Sequence, residues 1–270
     1  MTPSELRECL HEGRKVFGTL IVSPSPRWPE VVAKCGLDFV FIDTEHIALD
    51  RAQLSWMCQT YNALGIPPIV RIPSPDPHTA TMVLDGGAAG IISPYVESVQ
   101  QVEALRGAVK LRPIRGQMQQ AMLAGETVGP ELEHYIRERA SKRLLIVNIE
   151  STPAIEALDG ILQVPDLDGV LIGPHDLSCS LGIPEQYDHP DFLNACETIF
   201  NKARKASVGA GIHFWGEVQQ QNRLLKLGAN MLIHSADISL FQKHLQLELA
   251  AIKTAAGLTR EDTAISAPVI

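Results

Sequence analysis

Acidic residues and a histidine stand shortly after three apolar runs of this 270-residue chain. Asp43 and His46 follow the first run, Glu150 the second and Asp176 the third. Branched and aromatic residues dominate the runs, as they do in buried strands; the runs are residues 39–42, 144–147 and 170–172. Because the strands of a parallel α/β sheet all end at one face, we expect the four polar side chains to converge. Carboxylates beside a histidine predict a metal site with a proton-transfer base.

Glu150 and Asp176 are the candidate metal ligands. Asp176 has an alternative role, because aspartate is among the best helix caps and a short helix is predicted over residues 177–181. Two carboxylates with no Cys or His ligand motif nearby suit a hard divalent cation that keeps positions open for water and substrate oxygens. We therefore expect Mg²⁺ or Mn²⁺, with Co²⁺ as a third candidate.

His46, Arg71, Asp85 and Asp43 form the predicted catalytic set. Asp43 and Glu45 stand beside His46, where a carboxylate can raise the basicity of the imidazole and hold its tautomer; the alternative is a histidine that merely hydrogen-bonds in a loop. Arg71 ends the third predicted strand, so its guanidinium can grip a carboxylate or enolate oxygen, or form a structural salt bridge. Asp85 falls in the last turn of a predicted helix, facing the negative end of the helix dipole, which indicates a partner elsewhere.

Composition and charge limit the classes of function. With 45% hydrophobic residues and a formal charge of -8, the chain can bury a large core and has no basic footprint for nucleic acid or an anionic membrane. Five cysteines without paired spacing indicate reduced thiols and no zinc site. No apolar stretch approaches 18 residues, and the N-terminus lacks a signal-peptide core. We expect a soluble, cytoplasmic protein.

Strand-like and helix-like segments alternate along the chain, which is typical of repeated βαβ units. Eight strands are predicted, near residues 16–22, 38–43, 67–72, 89–95, 143–149, 167–173, 209–214 and 229–234. Helices are predicted to begin after Asp50, at Asp76-Pro77 and at Thr152-Pro153, each with a capping residue. The pattern predicts an α/β fold, a (β/α)8 TIM barrel in one domain over residues 1–256, with a doubly wound open sheet as the alternative.

Two segments depart from the plain repeat, and the chain ends in a short tail. Residues 113–142 form a long connection with a helix-like stretch near 130–140, which is a candidate lid. Residues 237–256 have helical apolar periodicity, which fits either the last barrel helix or an oligomer interface. The tail, 257–270, is predicted to be flexible.

The motifs together resemble the HpcH/HpaI aldolase family of metal-dependent, class II pyruvate aldolases. The resemblance covers roughly residues 5–255 and depends on Ile42-Asp43-Thr44-Glu45-His46, Val70-Arg71, Leu84-Asp85-Gly86-Gly87-Ala88, Ile114-Arg115-Gly116, Ile149-Glu150 and Gly173-Pro174-His175-Asp176-Leu177-Ser178. It implies a TIM barrel in which Glu150 and Asp176 bind the metal, His46 and Asp85 form a proton-transfer dyad, and Arg71 stabilises the enolate. It also implies a hexamer, a trimer of dimers, in which the last helix swaps between partners and an acid reaches a neighbouring site.

Substrate contacts are expected from Arg71, Gly173, Pro174, Ser93 and Asn148. Several pocket positions depart from the pattern of the family that the chain resembles. Asn148 stands where glutamine is usual, Ser93 begins a Ser-Pro-Tyr run in place of an apolar one, Gln117-Met118 lacks an expected glycine, and His175 replaces a smaller residue or asparagine. The pocket for the second substrate is therefore expected to differ.

The expected function is cleavage of a 4-hydroxy-2-oxo acid to pyruvate, or a related 2-oxo acid, and an aldehyde through a metal-stabilised enolate. Two alternatives stay open: an enolate-based synthase resembling siderophore-linked citrate synthases, and a non-catalytic ligand-binding barrel. Nucleotide-binding glycine motifs and the G-x-S-x-G elbow are absent from the sequence, which disfavours nucleotide cofactors and serine hydrolysis.

Overall fold

Eight parallel strands close into a barrel in chain order, with β1 paired to β8. A computed structural model describes residues 1–139 and 142–258. The closed barrel confirms the TIM-barrel prediction, and the open-sheet alternative is wrong. The strands are β1 Val16–Ile21, β2 Phe39–Asp43, β3 Pro68–Arg71, β4 Gly90–Ser93, β5 Leu144–Asn148, β6 Gly169–Ile172, β7 Gly209–Phe214 and β8 Met231–Ala236.

Twelve helices occur within the described ranges, most of them on the outside of the barrel. They are α1 Pro3–Glu12, α2 Trp28–Val32, α3 Arg51–Ala63, α4 Pro77–Asp85, α5 Val99–Lys110, α6 Gly116–Leu123, α7 Pro130–Arg139, α8 Thr152–Ile161, α9 Pro174–Ser180, α10 Pro190–Lys205, α11 Val218–Lys226 and α12 Asp237–Ala255.

Alternation along the strands decides which side chains enter the barrel. On β2, Phe39 and Phe41 belong to one buried cluster, and Val40 and Ile42 belong to the other. Successive strand side chains point to opposite faces, so Asp43 shares the face of Phe39 and Phe41. The same alternation holds on three other strands: Ile69 points inward on β3, Leu144 and Ile146 on β5, and Leu171 on β6. The polar residues at the strand ends therefore point inward above a packed apolar layer.

All three predicted helices begin within one residue of the predicted position, and two of the three predicted caps are correct. Asp50 caps α3 by accepting a hydrogen bond from Gln53 N at 2.8 Å, and Asp76 caps α4 through Thr79 N at 2.7 Å. The prediction of Thr152 as a cap is wrong. Ser151 has the extended backbone that a cap needs, and its hydroxyl accepts from Ala154 N.

The lid prediction is wrong for the chain's own barrel. The connection contains α6, which the sequence reading missed, and it packs beside α4 and α5. Gln119 Nε2 donates to the carbonyl of Gly107 at 2.8 Å, and Arg115 Nη2 donates to Thr81 Oγ1 at 3.2 Å. Because α5 has already returned the chain to the N-terminal end of the strands, the segment lies at the end opposite to the site. Residues 140–141 are outside the described ranges.

Helix α12 exposes large apolar side chains along most of its length, including Phe241, Leu247 and Ile252. Its start is anchored, because Asp237 accepts hydrogen bonds from Val22 N and Ser23 N, both at 3.0 Å. The interface function of α12 stays a prediction, and the tail from residue 259 onward lies outside the described residues. None of the helices in the described part of the chain has the length and apolar character needed to span a membrane.

A buried ion pair stabilises the N-terminal end of the barrel. Lys110 Nζ lies 2.5 Å from Asp168 Oδ2, and both side chains are buried. Asp168 also accepts from Arg7 Nε at 2.6 Å and from Leu145 N at 2.8 Å. Because its donors come from α1, α5 and β5, the Asp168 carboxylate links these three elements to the start of β6.

We predict that Asp168→Ala lowers the free energy of unfolding by about 3–5 kcal/mol, because it leaves the Lys110 ammonium buried without its carboxylate. Asp159→Ala is the matched control. Asp159 pairs with Lys202 at 2.9 Å on the surface, so its loss should change stability by less than about 1 kcal/mol. Urea denaturation measures both, and equal effects of the two substitutions would contradict the prediction.

Candidate active site

A cavity of about 210 Å³ opens at the C-terminal ends of the strands. We call it the mouth cavity. Of the predicted site residues, it is lined by Asp43, His46, Arg71, Asn148, Gly173, Pro174 and Asp176. As predicted, the C-terminal ends of the strands bring together side chains that are more than a hundred residues apart in the chain.

Arg71 and Asp43 form a bidentate ion pair on one side of the mouth cavity. Arg71 Nε lies 2.8 Å from Asp43 Oδ1, and Nη2 lies 2.7 Å from Oδ2. Glu45 Oε2 lies 3.1 Å from Arg71 Nε. Burial alone would raise the pKa of Asp43, but its hydrogen bonds with Arg71 and the Arg71 charge lower the pKa below its ordinary value. Both groups are therefore held in their charged forms.

His46 lies in the loop after β2, with its side chain about half exposed. Asp43 accepts hydrogen bonds from the backbone N–H groups of Glu45 at 3.0 Å and of His46 at 3.2 Å. The imidazole Nε2 of His46 lies 3.7 Å from Glu45 Oε1. Asp43 thus fixes the backbone that carries the imidazole, and Glu45 is the carboxylate nearest to the ring.

Glu150 is buried just after β5, and both of its carboxylate oxygens accept hydrogen bonds. Tyr95 N donates to Oε1 at 2.7 Å, and Asn148 Nδ2 donates to Oε2 at 2.7 Å. Burial raises the pKa of Glu150, and the charges of Asp176 and Glu45 raise it further. The local environment therefore disfavours the negative charge unless a cation lies nearby.

Because residue 173 is a glycine, the carboxylates of Glu150 and Asp176 can both lie next to its Cα. A Cβ atom at residue 173 would lie 2.5 Å from Glu150 Oε2 and 3.6 Å from Asp176 Oδ2, so a side chain would displace the first carboxylate. Gly173 caps α9, and Pro174 opens the helix with its fixed φ. Asp176 lies in the first helical turn, where the dipole favours an acid.

Residues that the sequence reading missed complete the site. Tyr95 follows β4 with φ of 55°, an unusual conformation for an aromatic residue, and in this conformation its N–H reaches Glu150. Hydrogen bonding of its hydroxyl with Glu45 raises the pKa of Tyr95 to about 12. His213 and Trp215, at the end of β7, also line the mouth cavity. These residues also lie at strand ends, so the criterion that identified Glu150 could have identified them.

A model of the HpcH/HpaI aldolase/citrate lyase family matches residues 18–243. The chain belongs to this family. It is 30% identical over 254 residues to the 2-keto-3-deoxy-L-rhamnonate aldolase of Klebsiella pneumoniae subsp. pneumoniae, covering 94% of this chain and 95% of the relative. Both the family and this likeness make the protein a carbon–carbon lyase.

Two solved structures show the same fold as this chain. The HpcH/HpaI aldolase from Desulfitobacterium hafniense DCB-2 superposes with a TM-score of 0.81 at 27% identity, covering 94% of this chain and 99% of that one. Citrate synthase SbnG superposes with a TM-score of 0.79 at 30% identity, covering 93% of this chain and 98% of that one. Relatives of similar identity thus carry both aldolase and synthase names.

The oxygen donors of this HpcH/HpaI chain fit a hard divalent cation. Within residues 1–139 and 142–258, no group of three or more Cys, His, Asp or Glu side chains has the arrangement of a metal cage. Glu150 and Asp176 instead supply two carboxylates, and the buried Asn148 Oδ1 accepts no hydrogen bond from the described residues. Such a set suits a cation whose other positions are filled by water and substrate oxygens.

Three predicted residues, Glu150, Asp85 and Ser93, are not among those that line the mouth cavity. Glu150 is adjacent to two residues that do line it, Asn148 and Gly173. Asp85 ends α4 at the N-terminal side of the barrel, where it forms an ion pair with Arg112 Nη2. It therefore cannot contact His46 of its own chain. Ser93 is buried, and its hydroxyl donates to the carbonyl of Pro94 at 3.4 Å. Substrate contact by Ser93 stays a prediction.

We predict that Gly173→Ala weakens Mn²⁺ binding by at least about tenfold, because the new methyl group displaces the Glu150 carboxylate and ligand geometry controls affinity. Gly169→Ala is the matched control on β6, since a Cβ there first meets an atom at 3.4 Å. Isothermal titration calorimetry measures the affinity, and circular dichroism checks the fold. Equal Mn²⁺ affinities in folded Gly173→Ala and Gly169→Ala proteins would contradict the assignment.

Proposed function

We propose that this protein is a divalent-metal-dependent aldolase that reversibly cleaves a 4-hydroxy-2-oxo acid to pyruvate, or a related 2-oxo acid, and an aldehyde. The approach of Glu150 and Asp176 to one space beside Gly173 is the observation that carries the proposal. The aldolase name of the Klebsiella relative supports it, and a 2-keto-3-deoxy sugar acid is the substrate type named there.

Glu150 and Asp176 would hold the cation, for which Mg²⁺ and Mn²⁺ are the first candidates and Co²⁺ the third. When bound, the cation supplies Lewis-acid polarisation of the ketone and so acidifies the adjacent methyl group. Asn148 orients Glu150 through its hydrogen bond of 2.7 Å. Gly173 and Pro174 would shape the wall against which the 2-oxo acid lies.

Arg71 and His46 carry out the charge stabilisation and the proton transfer. The guanidinium of Arg71 has five N–H groups, so after pairing with Asp43 it keeps donors for a substrate oxygen. Its fixed charge would stabilise the negative charge that develops as the methyl proton leaves. His46 accepts that proton and returns it in the reverse direction. Asp43 acts by holding Arg71 and the loop of His46.

The assembly proposed for this chain is a cytoplasmic homo-oligomer, a hexamer built as a trimer of dimers, from one domain over residues 1–256. Exposed apolar side chains on α12 support a swapped helix that covers a partner barrel. Because Asp85 cannot reach its own His46, we propose that it serves the His46 of a neighbouring subunit.

A carbon–carbon bond-forming synthase is the second candidate function. It is favoured by the likeness to citrate synthase SbnG, at 30% identity over 93% of this chain. In that reaction the proton-transfer residue would remove an α-proton from an acyl thioester, and the resulting enolate would add to the ketone of a 2-oxo acid. Hydrolysis of the thioester by water would then release coenzyme A. Release of free coenzyme A distinguishes the two candidates.

A retro-aldol screen of 4-hydroxy-2-oxo acids tests the proposed function directly. We expect pyruvate release by the metal-loaded enzyme, loss of release after chelation, and recovery with Mn²⁺ or Mg²⁺. Glu150→Gln should lower kcat/KM by at least about a hundredfold, because the isosteric amide removes the charge that holds the cation. Glu156→Gln, on the exposed side of α8, is the control. Cleavage that survives chelation, or coenzyme A release without cleavage, would overturn the proposal.

We predict that His46→Ala slows exchange of pyruvate methyl protons with deuterated water by about a hundredfold or more, because it removes the group that accepts the proton. Metal affinity should stay unchanged, since His46 is not a ligand. Proton NMR measures the exchange. A wild-type exchange rate in His46→Ala would assign the base to another group.

Subunit mixing tests the intersubunit role of Asp85. Inactive His46→Ala and inactive Asp85→Ala proteins should regain activity when their subunits exchange, because a mixed interface contains one site with both native residues. Native mass spectrometry confirms the exchange. No recovery in confirmed mixed oligomers would limit Asp85 to a structural role in its own chain.

A further inference from the structure

A second cavity, of about 360 Å³, lies at the N-terminal end of the barrel, opposite to the mouth cavity. We call it the basal cavity. Its charged side chains are those of Asp85 at the end of α4, Arg112 shortly after α5 and Arg143 just before β5. Two guanidiniums and one carboxylate give the basal cavity a net positive charge, although the formal charge of the whole chain is -8. This excess of positive charge favours an anionic ligand.

Arg143 is a half-buried cation without a carboxylate partner. Its Nη1 donates to the carbonyl oxygen of Ala88 at 2.5 Å, and it forms no ion pair with an acidic residue of the ranges 1–139 and 142–258. Burial lowers the pKa of Arg143, and the nearby charge of Arg112 lowers it further. A guanidinium has five N–H donors, so Arg143 keeps donors for a ligand. A bound anion would compensate the charge that its surroundings now disfavour.

Arg112 has a partner that can be exchanged. Its Nη2 forms an ion pair with Asp85, whose side chain is 60% exposed. An ion pair with so exposed a carboxylate contributes little to stability, because water solvates the carboxylate well when the pair opens. An anion inside the basal cavity could therefore take the place of Asp85 on Arg112.

Charge and shape both indicate a phosphate group. Once Asp85 has turned to solvent, two guanidinium charges remain, and a dianion matches them whereas a single carboxylate does not. Guanidinium groups also bind phosphate oxygens bidentately. Leu84, Val109 and Pro113 line the rest of the basal cavity, whose volume falls within the range of small-molecule sites. The cavity thus has room for a short carbon chain attached to the phosphate.

We propose that the basal cavity binds a phosphate dianion between Arg112 and Arg143, and that the anion displaces Asp85 from Arg112. The carbon part of a phosphomonoester would contact the apolar side of the cavity. Displacement is compatible with the intersubunit role proposed for Asp85, because it releases the carboxylate. Binding itself does not depend on the proposed aldolase function.

Isothermal titration calorimetry of the whole protein tests the binding. Inorganic phosphate and glycerol 3-phosphate are the ligands, and glycerol is the neutral control, at constant ionic strength and about pH 8, where a phosphomonoester is a dianion. We expect one saturable site per chain for both phosphates, with tighter binding of glycerol 3-phosphate, and no binding of glycerol. Saturable binding of inorganic phosphate alone would identify the ligand as the free ion. No saturable binding of either phosphate would overturn the inference.

Two substitutions at the basal cavity should change the affinity in opposite directions. Arg143→Gln should weaken phosphate binding at least about tenfold, because it removes the unpaired charge. Asp85→Asn should strengthen binding severalfold, because it removes the competing carboxylate, and damage to the fold would not have this effect. Arg223→Gln is the matched control, since Arg223 pairs with Asp188 at 2.8 Å on the surface and does not line the basal cavity. Equal affinities in Arg143→Gln and Arg223→Gln, or weaker binding by Asp85→Asn, would overturn the inference.

Glu150→Gln separates the basal cavity from the mouth cavity. A phosphate could also bind to a cation held by Glu150, and this variant removes that route. We expect wild-type phosphate affinity in Glu150→Gln; loss of binding there, with binding retained in Arg143→Gln, would place the anion at the mouth and overturn the inference. Failure of the metal-loaded wild type to cleave any 4-hydroxy-2-oxo acid would instead overturn the proposed function and leave the phosphate site in place.

Discussion

Crowding of like charge at the mouth of the barrel is the constraint on which the site depends. Four carboxylates, those of Asp43, Glu45, Glu150 and Asp176, are clustered with one guanidinium, that of Arg71, which pairs with Asp43 and Glu45. The positive charge of the guanidinium compensates the negative charges of Asp43 and Glu45. Glu150 has no such partner among the described residues, and burial and the neighbouring acids raise its pKa. A divalent cation beside Glu150 and Asp176 would remove this penalty. The glycine at 173, the hydrogen bond from Asn148 and the strained backbone of Tyr95 all serve to keep Glu150 in place for it.

Much of the fold could be predicted because the buried strands appear in the sequence as short apolar runs. Buried strands such as β2 and β5 are unbroken apolar runs, and their ends are marked by Asp43 and Asn148. Features decided by tertiary contacts were harder to predict. Helix α6 has no fully buried residue and a weak apolar pattern, and its position depends on Gln119 contacting Gly107. The lid prediction rested on the length of the connection over residues 113–142, and length does not show at which end of the barrel a segment packs.

Site prediction succeeded where a residue's position at a strand end decides its neighbours, as for Arg71 and Glu150. It was less informative about how each group is used. Asp43 was predicted as catalytic, yet its two oxygens are engaged by Arg71 and by backbone N–H groups of the loop. Trp215 also follows a strand end, but it was missed because a tryptophan side chain offers no acid, base or metal-ligating group. Its ring contacts with Tyr187 and Phe214 hold it beside the mouth cavity.

The proposed function requires that Glu150 and Asp176 share one divalent cation. An anomalous difference map from crystals soaked in Mn²⁺ tests it most directly. We expect one strong peak in the mouth cavity, about 2 Å from a carboxylate oxygen of each residue. A peak bound to other residues, or no peak in the mouth cavity at a saturating Mn²⁺ concentration, would contradict it.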